Sequence, residues 1–290
     1  MRRVLYLVYI SLLVSLPLRL LAIDLENIVS SAVTAVKMTA EASKDISAAE
    51  EYYIGRGVAA NVISRYPLVK NPSLTQYVNK VGLAVAAMSK APVTYGGYHF
   101  GVISSTVENA YACPGGFIFI TTGLLKKLKS EDELAMILGH EIAHVVNRDS
   151  VKSLQAAKWR NLGYFVVGEA TSHIPISNAN VSELVGVLKD TIMDVSRRVI
   201  DAGYSQSDEK KADLDGLNYA AAAGYSSQAA VDFFKRQIES GASYSSGPFS
   251  SHPSMKSRLQ AVEKAIPKLA SASISPERTS RFKSILALVR

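Results

Sequence analysis

The sequence predicts an α+β fold, mostly helical with one small sheet, and three observations predict it. Strand-like patterning is confined to one stretch between Tyr98 and Thr121. Two helix starts, Ser47-Ala48-Ala49-Glu50 and Ser130-Glu131-Asp132-Glu133, carry the Ser-x-x-Glu pattern, in which hydroxyl and carboxylate each satisfy a backbone N–H of the first turn. After Gly123 apolar residues recur at helical spacing, interrupted only by loops near residues 172–180 and 241–253.

Taken in order, the chain begins with Met1-Arg2-Arg3, an apolar run from Val4 to Leu16, the breaker Pro17 and the small residue Ala22. That pattern predicts an export signal over residues 1–22 and places the protein in the periplasm or cell envelope. The run has 13 residues, short of the ~20 that a membrane-spanning helix needs, and Arg19 interrupts any extension. Residues 23–46 are rich in Ala, Ser and Val and read as an N-terminal helical extension. The main domain is expected over 47–270. Its first helix runs from Ser47 to about Arg65, and Pro67, Asn71 and Pro72 mark a turn. A second helix, 74–89, carries Val78, Val81, Leu83, Val85 and Met88 as its apolar stripe. Three short strands are expected at 98–104, 108–113 and 117–121, the last two joined by the tight turn Pro114-Gly115-Gly116. Residues 271–290 form a C-terminal tail.

Composition bounds the function classes. The 290 residues are 48% apolar and 20% charged, ordinary for a globular protein. The net charge is +7, and it falls to +4 without Arg2, Arg3 and Arg19. With no basic cluster interleaved with aromatics and no nucleic-acid motif, a nucleic-acid partner is not expected. Basic residues of the C-terminal region, among them Lys256, Arg258, Lys264, Arg278 and Arg281, leave an envelope membrane surface as an additional partner. Cys113 is the only cysteine, so no intrachain disulfide forms, and it reads as a small buried hydrophobe.

The chemistry is concentrated in His140-Glu141-Ile142-Ala143-His144. Ser130 starts a helix whose apolar face is Leu134, Ile137, Leu138, Ile142 and Val145, and that helix is expected to run to about Asn147. Imidazoles four residues apart project from one helix face, one turn apart, as two ligands of a single Zn²⁺ require. Glu141 follows directly and is placed to take a proton from the metal's water as general base. A catalytic zinc needs a third protein ligand and an open position. Glu209, early in a helix that follows Tyr204-Ser205-Gln206-Ser207, is the leading candidate, with Asp208 and Asp215 as rivals on other sides of that helix. Asp213, four residues on, is suited to accept a hydrogen bond from the outer nitrogen of a ligating histidine. One Zn²⁺ per chain is therefore expected. The competing reading, a chaperone-like peptide binder with a structural zinc, leaves Glu141 without a task.

With these residues the chain resembles the CAAX-type, HtpX-like zinc metalloendopeptidase family, and its soluble envelope branch of the BepA and LoiP kind. The resemblance also rests on Asn109-Ala110-Tyr111-Ala112-Cys113-Pro114-Gly115-Gly116 with 117–125, on Glu209 to Asp213, and on His252-Pro253 with Arg258. It implies a gluzincin-like domain with His140, His144 and Glu209 as zinc ligands and Glu141 as the base. It further implies that the strand of Asn109, Ala110, Tyr111, Ala112 and Cys113 pairs with extended polypeptide substrates, a mode with broad sequence tolerance. By the same resemblance His252 and Arg258 reach the catalytic centre, His252 either as an oxyanion donor or as a fourth metal ligand that holds the enzyme off. The implied function is cleavage of unfolded or misassembled envelope proteins, as protein quality control. Three departures stand out: Cys113 in place of the usual Leu, which touches only local packing; Asp149 where many members have a further His, with little consequence expected; and charged residues such as Lys158, Arg160 and Lys189 between Val151 and Tyr204, where HtpX-like members have membrane spans. No tetratricopeptide domain is expected, because about 34 residues are needed for one repeat. Sequence alone does not set an oligomeric state. His99 and His173 have no partner motif and read as structural or exposed.

Overall fold

The computed structural model describes residues 46–152, 154, 181–240, 255–266, 269 and 272–289, so the expectations for residues 1–45, His173 and His252 lie outside the described residues. Helix α1 (Ala48–Arg65) starts where the Ser47 capping box predicts. Ser47 Oγ accepts from Glu50 N at 3.2 Å, and the Glu50 carboxylate accepts from Ser47 N at 2.8 Å. Helix α2 (Pro72–Ala86) is capped by Asn71, whose side chain accepts from Leu74 N. Of its expected stripe, Val78, Val81 and Val85 are buried, whereas Leu83 and Met88 are exposed. The difference is geometric: Leu83 lies two residues from Val81, across the helix, and Met88 falls beyond its end.

The three strands form where expected, as β1 (His99–Ile103), β2 (Ala110–Cys113) and β3 (Phe117–Thr121), in the order β1-β3-β2. β1 runs parallel to β3 and β2 antiparallel to it. Pro114–Gly116 turns the chain between β2 and β3, with Gly115 at φ 74° and Gly116 at φ 102°, backbone that L side chains rarely adopt. Side chains alternate cleanly across the sheet. Phe100, Val102, Ala110, Ala112, Ile118 and Ile120 join one core cluster, while Ile103, Tyr111, Cys113 and Phe119 join a second with Ile54, Val58 and Val62 of α1. The sheet is thus covered on both faces by helices. Cys113 is fully buried, and burial pushes its thiol up, so it behaves as the small hydrophobe expected. His99 is structural, its Nε2 2.9 Å from Gly96 O and its ring stacked on Phe117.

After α3 (Thr122–Lys127) comes α4 (Glu131–Val146), the helix that carries the His-Glu-x-x-His segment. Ser130 Oγ accepts from Glu133 N as expected, but the box is only half formed: the Glu133 carboxylate takes Lys129 N and Arg236 instead. α5 (Val181–Arg197) runs into a π-helical turn (Arg198–Ala202), followed by α6 (Gln206–Ala222), α7 (Gln228–Glu239), α8 (Met255–Ala265) and α9 (Pro276–Leu286). The first turn of α4 holds three buried carboxylates, and each has its own arginine: Glu131 with Arg281, Asp132 with Arg278 and Glu133 with Arg236. Burying a carboxylate is tolerable only with such a partner. Residues 276–286 therefore belong to the packed body, with Phe282 fully buried against the main core, and Arg278 and Arg281 each neutralise a buried carboxylate of α4. Among the described residues no helix is long and apolar enough to cross a membrane.

Candidate metal centre

α4 and α6 cross at two glycines. A Cβ on Gly216 would stand 2.5 Å from His140 N, and one on Gly139 would stand 2.7 Å from Gly216 O. Only glycine lets the backbones approach this closely, and the approach brings Glu209 and Asp213 of α6 up to His140 and His144 of α4. Ser205 caps α6 by accepting from Asp208 N, which sets Glu209 in the helix's opening turns, as the sequence predicts. Gly216→Ala should therefore push the two helices apart and move Glu209 off the histidines. Backbone atoms cannot yield as a side chain can, so overpacking of about 1–3 kcal/mol is expected. A lower melting temperature together with reduced metal content, read by thermal denaturation and atomic absorption, is the expected result.

His140, His144 and Glu209 are all buried, Glu209 completely, and one ligand atom from each lies within 4.8 Å of the others. The two Nε2 atoms are 3.1 Å apart, and they lie 3.3 Å (His140) and 3.5 Å (His144) from the Glu209 carboxylate oxygens. Tetrahedral coordination with bonds of ~2.0–2.1 Å puts ligand atoms about 3.4 Å apart, so the three donors already hold the spacing a bound ion demands. Their charge agrees with this. Burial pulls the His140 imidazole toward its neutral form, but Asp213 and Glu209 outweigh it and push its pKa up to about 10. A site that favours a proton so strongly has the negative excess that also favours a divalent cation.

The outer nitrogens are held as well. His140 Nδ1 is 3.0 Å from Asp213 Oδ1, the task expected of Asp213. Burial raises the Asp213 carboxyl, but Arg258 and His140 outweigh it and hold it well below the usual carboxylate range. The Arg258 guanidinium forks onto Asp213, with Nε at 2.8 Å from Oδ2 and a terminal nitrogen at 2.5 Å from Oδ1. The structure thus places Arg258, expected at the catalytic centre, behind Asp213 and not among the His140, His144 and Glu209 donors. The rival carboxylates point elsewhere: Asp215 pairs with Lys211 and Lys90, and Asp208 bonds Ser205. Two residues that spacing did not reveal complete the shell. His144 Nδ1 is 2.8 Å from Asp149 Oδ2, and the Tyr204 ring stacks on His144 with centroids 4.2 Å apart.

Glu141 is buried and lines the same small cleft as Asn109, Ala110, Tyr111, Ala112, His140, His144 and Tyr204. Burial pushes its carboxyl up, against the pull of the two histidines. β2 is an edge strand. Asn109 O accepts from Thr121 N, so antiparallel alternation turns the backbone groups of Asn109, Tyr111 and Cys113 toward β3 and those of Ala110 and Ala112 away from it. Among the described residues no strand pairs with the outer edge, made by the buried Ala110 and Ala112, and Tyr204 Oη donates to Ala112 O there at 3.3 Å.

Two histidines and a carboxylate spaced for one ion, with a buried glutamate and a strand edge in the same cleft, make this a metallopeptidase domain. The pattern of peptidase family M48 matches residues 72–266, and the chain belongs to that family. Among curated relatives, the beta-barrel assembly-enhancing protease of Escherichia coli (strain K12) is 28% identical over 232 residues, covering 79% of this chain and 46% of the relative. The mitochondrial metalloendopeptidase OMA1 of Schizosaccharomyces pombe is 28% identical over 229 residues, covering 77% of this chain and 63% of the relative. The mitochondrial metalloendopeptidase OMA1 of Bos taurus is 29% identical over 172 residues, covering 58% and 32%. The chain spans about half the length, 46%, of the Escherichia coli proteases it matches.

Proposed function

We propose that this chain is a zinc-dependent endopeptidase of the cell envelope, acting on unfolded or misassembled polypeptides bound in extended form. The observation that carries the proposal is that Glu141, the outer edge of β2 and both histidines of the His140/His144/Glu209 donor set line one cleft. Two imidazole nitrogens and a carboxylate oxygen suit zinc. When bound, zinc would supply a water of pKa about 7 and polarise a peptide carbonyl. His140, His144 and Glu209 would hold the ion, while Asp213, backed by Arg258, fixes the His140 ring. Glu141 takes a proton at its carboxylate and returns it to the leaving amine. The outer edge at Ala110 and Ala112 would pair with an extended peptide once Tyr204 Oη gives up Ala112 O, with Asn109, Tyr111 and Cys113 completing the segment. Such pairing reads backbone rather than side chains, which fits broad specificity.

Location in the envelope rests on the signal pattern of residues 1–22 and on the relatives named as β-barrel assembly-enhancing proteases. Residues 23–46 would follow as an extension, with the protease domain over 47–270 and the tail 271–290 packed behind it. The role in protein quality control rests on the family resemblance. The alternative, a chaperone-like peptide binder with a latent or structural zinc, makes a different prediction for one assay. Purified chain should cleave unfolded casein, lose cleavage with a zinc chelator and regain it on zinc addition. Binding of casein without cleavage would favour the alternative.

A further inference from the structure

We propose that Asp149 is a positioning residue for the metal centre, the counterpart for His144 of what Asp213 is for His140. The inference rests on the reading of His144 as a metal ligand. An imidazole that donates from Nδ1 keeps its Nε2 lone pair for an ion, and the carboxylate that accepts the bond fixes both tautomer and ring plane. Asp149 is buried, and its Oδ2 is 2.8 Å from His144 Nδ1, while its Oδ1 accepts from Lys152 Nζ at 2.9 Å. His144 Nε2 is thereby aimed at Glu209 and at the Nε2 of His140. Each imidazole of the pair thus has its own buried carboxylate, and each carboxylate its own cation, Arg258 for Asp213 and Lys152 for Asp149.

The backbone is built for this contact. Five residues after His144, a continued helix would carry residue 149 about 140° around the axis, away from the histidine. α4 instead ends at Val146, and Arg148 takes φ 55°, the only positive φ at a non-glycine among the described residues. That conformation folds the chain back so that Asp149 meets the imidazole one turn behind it. Arg148 is held in it from another element: its Nε donates to Glu51 Oε2 at 2.9 Å and a terminal nitrogen donates to Ile46 O at 2.5 Å. On its other side the His144 ring is stacked on Tyr204, whose hydroxyl is 2.6 Å from Ser150 Oγ, next to Asp149. His144 is therefore clamped by a strained turn, a carboxylate and an aromatic face. The proposal departs from the expectation that Asp149 has little consequence.

The test is titration of the purified full chain with Zn²⁺, with Co²⁺ as the spectroscopic probe, in wild type, Asp149→Ala, Asp149→Asn and Asp215→Asn. Asp149→Ala should bind about 10–100-fold more weakly and shift the cobalt absorption bands, because His144 is free to turn. Asp149→Asn keeps the shape and an accepting oxygen, so it carries the test if the alanine variant does not fold, and it should bind several-fold more weakly. Asp215→Asn, a carboxylate on the same helix as Asp213 but outside the centre, should match wild type. Melting of the chelator-treated proteins should be alike, which separates positioning from stability. Affinities of both Asp149 variants within twofold of wild type, with unchanged cobalt spectra, would overturn the proposal. A wild-type chain that binds no metal would instead overturn the reading of the site on which it rests.

Discussion

Glu141→Gln should keep one metal ion per chain and lose peptide hydrolysis by about 10²–10⁴-fold, the usual contribution of a positioned general base. Glutamine has the same shape and cannot take a proton at its amide. Glu141 lines the cleft without belonging to the donor set of His140, His144 and Glu209, so metal affinity has no reason to fall. Stability has none either, since Glu141 is buried and burial already disfavours its charged form. Replacing it with a neutral isostere removes a desolvation cost. The measurements are metal content by atomic absorption and turnover of an unfolded substrate on one preparation. Undiminished turnover in this variant would remove Glu141 from the chemistry.

Glu209→Ala should have the opposite profile, losing the metal and, with it, all activity. The carboxylate is completely buried between two imidazoles, and its oxygens are 3.3 Å and 3.5 Å from their Nε2 atoms. Without it the site has two neutral donors, too few to compete with water for a divalent ion, and the negative excess that favours a cation is gone. His140→Ala should lose the ion as well. Metal content of the desalted variants reads this directly, and a full ion in Glu209→Ala would show that the third donor lies elsewhere.

Much of this centre was readable along the chain because its parts obey local rules. The Ser130 cap and the apolar face at Leu134, Leu138 and Ile142 announce α4, and the four-residue spacings 140–144 and 209–213 each put two side chains on one helix face. The three strands also lie at the expected places, because the Pro114–Gly116 turn and β-branched β3 are local signals. What stayed hidden depends on chain segments meeting. Gly139 and Gly216 look like weak points in helix interiors until the helices cross, when each proves to be the only residue that fits. Asp149 lies out of helical phase with His144, and only the left-handed Arg148 returns it. Tyr204 carries no spacing signal toward His144; the π-helical turn before it and Gly203 deliver its ring. Likewise Arg278 and Arg281 read as surface charge, yet each finds a buried carboxylate at the start of α4.

The central claim is that His140, His144 and Glu209 together hold one catalytic ion with a position left open. Anomalous diffraction at the zinc edge from crystals of the zinc-loaded chain tests it most directly. The account predicts one peak at about 2.0–2.2 Å from both Nε2 atoms and a Glu209 oxygen, with Glu141 beside it and not bound to it. A peak elsewhere in the chain, or an ion bound without Glu209, would contradict it.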